Sequence, residues 1–318
     1  MVSASARDEL FRSSVVVTGT HYSMTTLAGR ILAAAPGFHM VHEPTNARPT
    51  LSYDSIRPGG WYRDYAGADY AELRAFLIRA MRADGLAGEI VRRAFAVRSP
   101  QNLAQVARYA QRKLPMRLAR KRAIFKDPFL AFSARSLQRE DGLKVVLTVR
   151  HPAAFAESFI RAGNGFDFAD LLQDSVLDTV PALAGDIRLY AEHPHSLAEQ
   201  AGLLWSAVYG FADAGLRADP RSFTLTQEAL VEDTDPTIAR LLDFAGTTRD
   251  AAVDRVLAQA FGGSGRDFAG RGDYTRRDPA QILGKWRERL SLEDIAALRE
   301  RTATLAETYG YDAQSWAH

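Results

Sequence analysis

Short β-branched runs recur along this chain between longer stretches of helical periodicity, and that alternation admits few folds. Ser14 to Thr18 (SVVVT) reads as a buried strand, followed by a turn at Gly19 and a helix from about Thr26 to Ala35, where Pro36 and Gly37 stop it. Phe38 to Val41, Ala123 to Phe125, Val145 to Val149 and Ser222 to Thr226 read as further strands. Ala71 to Ala83, Gln101 to Arg112, the segment after Pro152 and Ser196 to Arg217 read as helices, and two or three more complete the chain. Pro152 suits a first helical turn, where its missing N–H would be unpaired in any case. Strands spaced by helices predict a parallel sheet, because parallel neighbours need a long crossover and helices then cover the faces. The expected fold class is α/β, a central parallel sheet flanked by helices in three layers. Pro44 to Gly60 and the Gly- and Arg-dense Phe261 to Pro279 both have helix and strand alternating on either side. Neither reads as a linker, so a single domain over residues 1–318 is expected.

Composition narrows the function. Lys plus Arg is 40 and Asp plus Glu 38, a net charge of +2, which argues against electrostatic binding to nucleic acid or a membrane surface. Hydrophobic residues at 47% are an ordinary globular share and argue against disorder. No cysteine is present, which removes disulfides, thiol nucleophiles and cysteine metal sites. The N-terminal MVSASARDELFRSS carries an acidic pair and no apolar stretch before Val15, so no secretory signal is expected. Ala201 to Leu216 contains Ser206 and Asp213 and is shorter than the roughly 20 residues a membrane span needs. A cytoplasmic protein with no membrane span, no nucleic-acid partner and no metal is expected.

Two segments could carry chemistry. The first strand runs into Thr18-Gly19-Thr20-His21-Tyr22-Ser23-Met24-Thr25-Thr26 before a helix begins. A strand, tight turn and helix in that order aim backbone N–H groups and the positive helix end at one spot, which suits a phosphate; an ordinary turn with Thr26 as N-cap fits the segment equally well. The nucleotide-kinase pattern is absent, since Met24 and Thr25 stand where a second Gly and a Lys would be. The second segment is Val145 to Arg150, His151, Pro152 and on to Ser158. An Arg at the carboxyl end of a parallel strand lies where open sheets bind ligands, and Ser158 falls two turns along the next helix. Guanidinium and hydroxyl together could hold one phosphate; a surface pairing of Arg150 with Glu157 is the plainer alternative.

Together these segments resemble the sulfotransferase family that uses 3′-phosphoadenosine 5′-phosphosulfate (PAPS). Gly19, Ser23, Thr25 and Thr26 match a loop of the form G-x-x-[RK]-S-G-T-T, and Arg150, Pro152 and Ser158 match R-x-P-x(5)-S. Phe38 to Pro44 is similar to the family's second strand ending in Glu, and Ala123 to Pro128 to its Lys-x-Pro strand. Thr226 to Leu230 stands in the place of the Tyr-Glu-Asp-Leu strand end, and Gly284-Lys285-Trp286 and Tyr309-Gly310-Tyr311 look like the closing motifs. The resemblance runs from about Val15 to Tyr311 and implies a P-loop-like fold. It implies that Gly19 to Thr26 wrap the 5′-phosphosulfate and that Arg150 and Ser158 hold the 3′-phosphate. Arg276 and Arg277 would close on the nucleotide from a C-terminal loop, and 3′,5′-ADP would be the product. The partner implied is a small-molecule acceptor, and a homodimer is an allowed assembly.

The sequence departs from that pattern in two places. Tyr22 replaces the Lys or Arg that neutralises the bridging oxygen, and Met24 replaces a Gly whose missing Cβ permits positive φ. Lys126, Arg276 and Arg277 are the substitute cations. Leu27 stands where many relatives carry Trp. Glu43 is the expected acceptor base, with His42 and His21 as rivals because imidazole titrates near neutrality, and strand alternation sets His42 on the face opposite Glu43. A salt bridge from Glu43 to a neighbouring Arg is the structural alternative. Tyr53, Trp61, Tyr62 and Tyr65 either line an acceptor pocket or pack the core. Six basic residues between Arg112 and Arg122 read as a solvated helix end that could attract an anionic acceptor or carrier domain. The alternative for the whole chain keeps the fold and the nucleotide site but has lost or changed the sulfuryl donor.

Overall fold

The computed structural model describes residues 4–47, 60–118, 121–261 and 279–317. Five strands form one parallel sheet: β1 (Val15–Gly19), β2 (Phe38–His42), β3 (Arg122–Lys126), β4 (Lys144–Val149) and β5 (Ser222–Thr226), ordered β2-β3-β1-β4-β5. β1 is buried along its whole length, as an interior parallel strand must be, and this is why its sequence is a continuous apolar run. Its register pairs Val16 with Phe125 on one side and with Val145 on the other.

Alternation along the strands divides the core into two layers. Val15, Val17, Ile124, Val146 and Leu225 pack against the helices Thr25–Ala34, Thr234–Ala245 and Ala251–Phe261. Val16, Phe125, Val145 and Leu147 face the helices Pro152–Ala162 and Leu197–Asp213, through Phe155, Phe159, Leu204 and Trp205. The expected α/β class, with helices covering a central parallel sheet, is the one found.

The expected strands and long helices lie within a few residues of the observed ones. The Leu197–Asp213 helix opens with a capping box, Ser196 Oγ accepting from Glu199 N–H and Glu199 Oε2 from Ser196 N–H. Helices Ala4–Arg12, Leu86–Phe95 and Ala134–Asp141 were not expected, and Pro100–Leu118 continues through Pro115 past the predicted stop. Among the described residues, four helices of eleven or more residues, rather than two or three, follow the last strand: Thr234–Ala245, Ala251–Phe261, Pro279–Arg289 and Leu292–Glu307.

Within the basic run Arg117 and Lys121 are exposed, as a solvated helix end would be, but Lys113 and Arg122 are not. Lys113 is buried and donates to the Ala80 carbonyl at 3.3 Å, while Arg122 donates to the Ala245 and Gly246 carbonyls and lies 3.9 Å above the Phe38 ring. No helix among the described residues is long and apolar enough to cross a membrane.

Candidate active site

Open α/β sheets bind ligands beyond the carboxyl ends of their strands, where connections leave in opposite directions. Here that place is the end of β1, which has β3 on one flank and β4 on the other. Gly19 leaves the strand at φ 143°, and a Cβ there would lie 2.3 Å from the Thr148 carbonyl oxygen, so only glycine lets the two backbones approach. The loop then uses two left-handed residues, Tyr22 (φ 65°) and Met24 (φ 62°), before the Thr25–Ala34 helix starts. Helix starts reached through such turns present N–H groups to anions. Met24 occupies the N-cap position with no side-chain cap, so the alternative in which Thr26 caps this helix is not the one found. Its side chain is buried in the core layer beneath, where a glycine would contribute nothing.

Two buried tyrosines clamp the loop from opposite sides. From the Leu197–Asp213 helix, Tyr209 Oη donates to the Thr148 carbonyl at 2.8 Å and accepts from Thr20 N–H at 3.3 Å. It also contacts the hydroxyls of Thr20 and Ser23, which bond each other. Tyr62 Oη accepts from His21 N–H at 3.0 Å and lies 3.0 Å from His21 Nδ1. Tyr62 is fully buried with φ 58°. Tyr65 is buried too and donates its N–H to Ser133 Oγ. Tyr53 lies outside the described residues.

Arg150 follows β4, and one of its nitrogens, Nη1, donates both to Ser158 Oγ at 2.8 Å and to the Tyr22 carbonyl at 3.2 Å. The spacing seen in the sequence therefore brings Arg150, Ser158 and the phosphate-type loop to one point. Glu157 does not pair with Arg150. It is held by Arg289 at 2.6 Å and Arg161 at 3.3 Å, while Ser158 donates to it. The backbone of Arg150 is fixed by Trp205 Nε1 at 2.9 Å. His151 caps the Pro152–Ala162 helix by accepting from Ala153 N–H, and burial pushes its imidazole down to about 3, so the nitrogen stays an acceptor.

Glu43 and Lys126 meet in an ion pair, Lys126 Nζ donating to Glu43 Oε1, where a neighbouring Arg was the expected structural partner. The second carboxylate oxygen accepts from Asn46 Nδ2 at 2.8 Å. Burial raises the Glu43 carboxyl, but the Lys126 charge, with His42 and the two hydrogen bonds, holds it below the ordinary value. Glu43 stands beyond β2 at φ 46°, so strand alternation does not extend to it and does not fix the face of His42 relative to it. The turn is locked by Asp127, which accepts from Thr45 N–H at 2.6 Å, Thr45 Oγ1 at 2.8 Å and Phe129 N–H at 3.0 Å. Tyr209 carries no local signature, because its partners lie more than sixty positions away along the chain, whereas Asn46 and Asp127 each have a partner within three residues, Glu43 and Phe129. Arg276 and Arg277 fall outside the described residues.

Solved structures resemble the chain, among them three sulfotransferases. The sulfotransferase domain from the Synechococcus PCC 7002 olefin synthase is 21% identical, with 94% of each chain covered and a TM-score of 0.50. The chain has a sulfotransferase fold. The sulfotransferase domain from the curacin biosynthetic pathway is 14% identical over 94% of this chain and 98% of that one, with a TM-score of 0.48. Sulfotransferase STF1 from Mycobacterium tuberculosis H37Rv is 16% identical over 80% and 73%, at 0.37. No family model and no curated protein matches the sequence. Within this sulfotransferase fold, the loop Thr20 to Thr26, Arg150 and Ser158 supply hydroxyls, N–H groups and one guanidinium, a donor set whose chemistry suits the phosphates of a nucleotide.

Proposed function

We propose that this protein is a sulfotransferase that moves a sulfuryl group from PAPS to a hydroxyl or amine of a small molecule, leaving 3′,5′-ADP. The observation that carries this reading is the shared Arg150 nitrogen, which joins Ser158 to the Tyr22 carbonyl and so sets the two phosphate-type sites side by side. In this reading the loop from Gly19 through Thr20, His21, Tyr22, Ser23 and Met24 to Thr25 and Thr26 holds the 5′ end at an uncapped helix start. Arg150 and Ser158 hold the 3′-phosphate. Bound PAPS would supply the sulfuryl group together with a phosphate leaving group. Glu43, kept ionised beside Lys126, is proposed as the group that takes the acceptor's proton. Arg276 and Arg277 are proposed as further contacts to the nucleotide.

Calorimetric titration with 3′,5′-ADP and with 5′-AMP tests the nucleotide site. Wild type should prefer 3′,5′-ADP, and Arg150→Ala should remove that preference with a loss of roughly ten- to hundredfold, the size of a charge-assisted contact. Equal binding of the two nucleotides, or an indifferent Arg150→Ala, overturns the reading. Transfer from radiolabelled PAPS to candidate acceptors then tests the reaction. A second reading has two observations in its favour: residue 22 is an exposed Tyr, and the Lys126 ammonium is engaged by Glu43. It describes a nucleotide-binding protein without sulfuryl transfer, and predicts 3′,5′-ADP binding with no labelled product.

A further inference from the structure

The contact between Tyr62 and His21 determines where His21 carries its proton. Tyr62 is fully buried, and burial pushes its phenol well above its ordinary value, so the hydroxyl keeps its hydrogen. That oxygen already accepts the backbone N–H of His21. Among the described residues the acceptor it meets for its own hydrogen is His21 Nδ1 at 3.0 Å. A buried hydroxyl is rarely left without a partner, so Tyr62 donates to Nδ1, and the neutral imidazole then carries its hydrogen on Nε2. Tyr62 is firmly placed to do this. Its φ of 58° is a strained value for a bulky side chain, and such residues persist only where the surroundings over-determine them. Gln173 Nε2 holds the Tyr62 carbonyl at 3.1 Å, Gln173 Oε1 accepts from Asp64 N–H at 2.8 Å, and Asp170 Oδ2 accepts from Trp61 N–H at 2.7 Å.

The imidazole itself lies among rings. Tyr22 is 4.7 Å away between centroids, and Trp61, Phe129, Phe155 and Phe159 lie at 5.8 to 6.1 Å. His21 is also the immediate neighbour of the loop position at which Tyr22 stands in place of a cation.

We propose that His21 works as a neutral hydrogen-bond donor, its proton fixed on Nε2 by Tyr62, and gives the 5′-phosphosulfate end the donor that residue 22 lacks. The inference rests on the PAPS reading above. It removes His21 as a rival base, because in this tautomer Nε2 has no lone pair with which to take an acceptor's proton, and it leaves that task to Glu43 or His42. Tyr62 is a positioning residue that acts through His21. Neutral imidazole serves as an electrophile elsewhere in enzyme chemistry, where a helix N-terminus keeps it uncharged.

Long-range 1H–15N correlation spectra of the imidazoles, recorded at alkaline pH on the full chain, read the tautomer directly, and the signal missing from His21→Gln assigns His21 among the seven histidines. The expected spectrum shows the Nε2–H form in wild type and a mixture of tautomers in Tyr62→Phe. On adding 3′,5′-ADP the Nε2 signal should move, and on adding adenosine 3′-phosphate, which lacks the 5′ group, it should stay. Glutamine can place an amide donor near Nε2, so His21→Gln should bind 3′,5′-ADP roughly tenfold more tightly than His21→Phe. An Nδ1–H tautomer in wild type, or an Nε2 signal indifferent to bound 3′,5′-ADP, overturns the inference while leaving the nucleotide site intact. Failure of 3′,5′-ADP to bind at all overturns the PAPS reading and the inference with it.

Discussion

Asp127 shows how much of this site depends on single buried atoms. Three donors converge on its carboxylate, yet burial, followed by the Glu43 charge, raises it to about 7 from an ordinary 3.8. Between those two values the folded chain binds more protons at this residue than the unfolded chain does, so its contribution to stability falls as pH rises through that window. Asp127→Asn cannot titrate and turns an amide toward donors, which should cost about 1–3 kcal/mol. Urea unfolding at a series of pH values should therefore show wild type ahead of Asp127→Asn, with the gap narrowing as pH rises. A constant gap would show that Asp127 keeps its ordinary value. Met24 illustrates what was legible in the sequence and what was not. Its identity pointed to a lost glycine, but the structure keeps the left-handed backbone, because about 1–2 kcal/mol of strain is offset by burying a methionine side chain worth roughly 1.5–3 kcal/mol. Local sequence carries the first quantity, and only tertiary packing carries the second.

Between elements, the Thr25–Ala34 helix crosses the end of β3 at Gly29. A Cβ at that position would fall 2.8 Å from Lys126 Cγ and 2.9 Å from Lys126 Cβ. Helix propensity alone would make Gly29→Ala stabilising by up to about 1 kcal/mol. Here the sign should reverse, to a loss of about 1–3 kcal/mol from overpacking, with Lys126 displaced from Glu43. Thermal unfolding checks the sign, and a more stable variant would mean that Lys126 moves aside freely. The strands and the long helices could be read from periodicity to within a few residues, because burial on both faces writes a continuous apolar run. The neighbours could not. That β3 slots between β1 and β2, and so brings Lys126 to Glu43, is a property of sheet order, which no local pattern records.

Over the whole molecule, the C-terminal elements brace the Arg150 side of the site. His151 stacks on Trp286 with rings 5.0 Å apart, meets Trp316 and Tyr311 edge-on, and its Nε2 lies 3.3 Å from Ser315 Oγ. Arg289 reaches Glu157 from the Pro279–Arg289 helix. Trp286→Ala should cost about 3–5 kcal/mol in chemical unfolding. It should also weaken 3′,5′-ADP binding in the proposed site, because the helix that begins beside His151 carries Ser158. Full affinity in a destabilised Trp286→Ala protein would separate the brace from the site. The motifs at both ends of the chain were visible in the sequence. That residues over a hundred positions apart share one aromatic cluster was not.

The forked contact of the Arg150 nitrogen ties these scales together. A single guanidinium edge tethers a serine on one helix to the carbonyl of a loop leading into another, so its position is a shared variable. In the proposed PAPS reading, an anion at Arg150 would compete with the Tyr22 carbonyl and Ser158 for the same nitrogen. In that reading the two ends of the nucleotide would meet at one side chain, so any change in the loop at Tyr22 would be felt at Ser158.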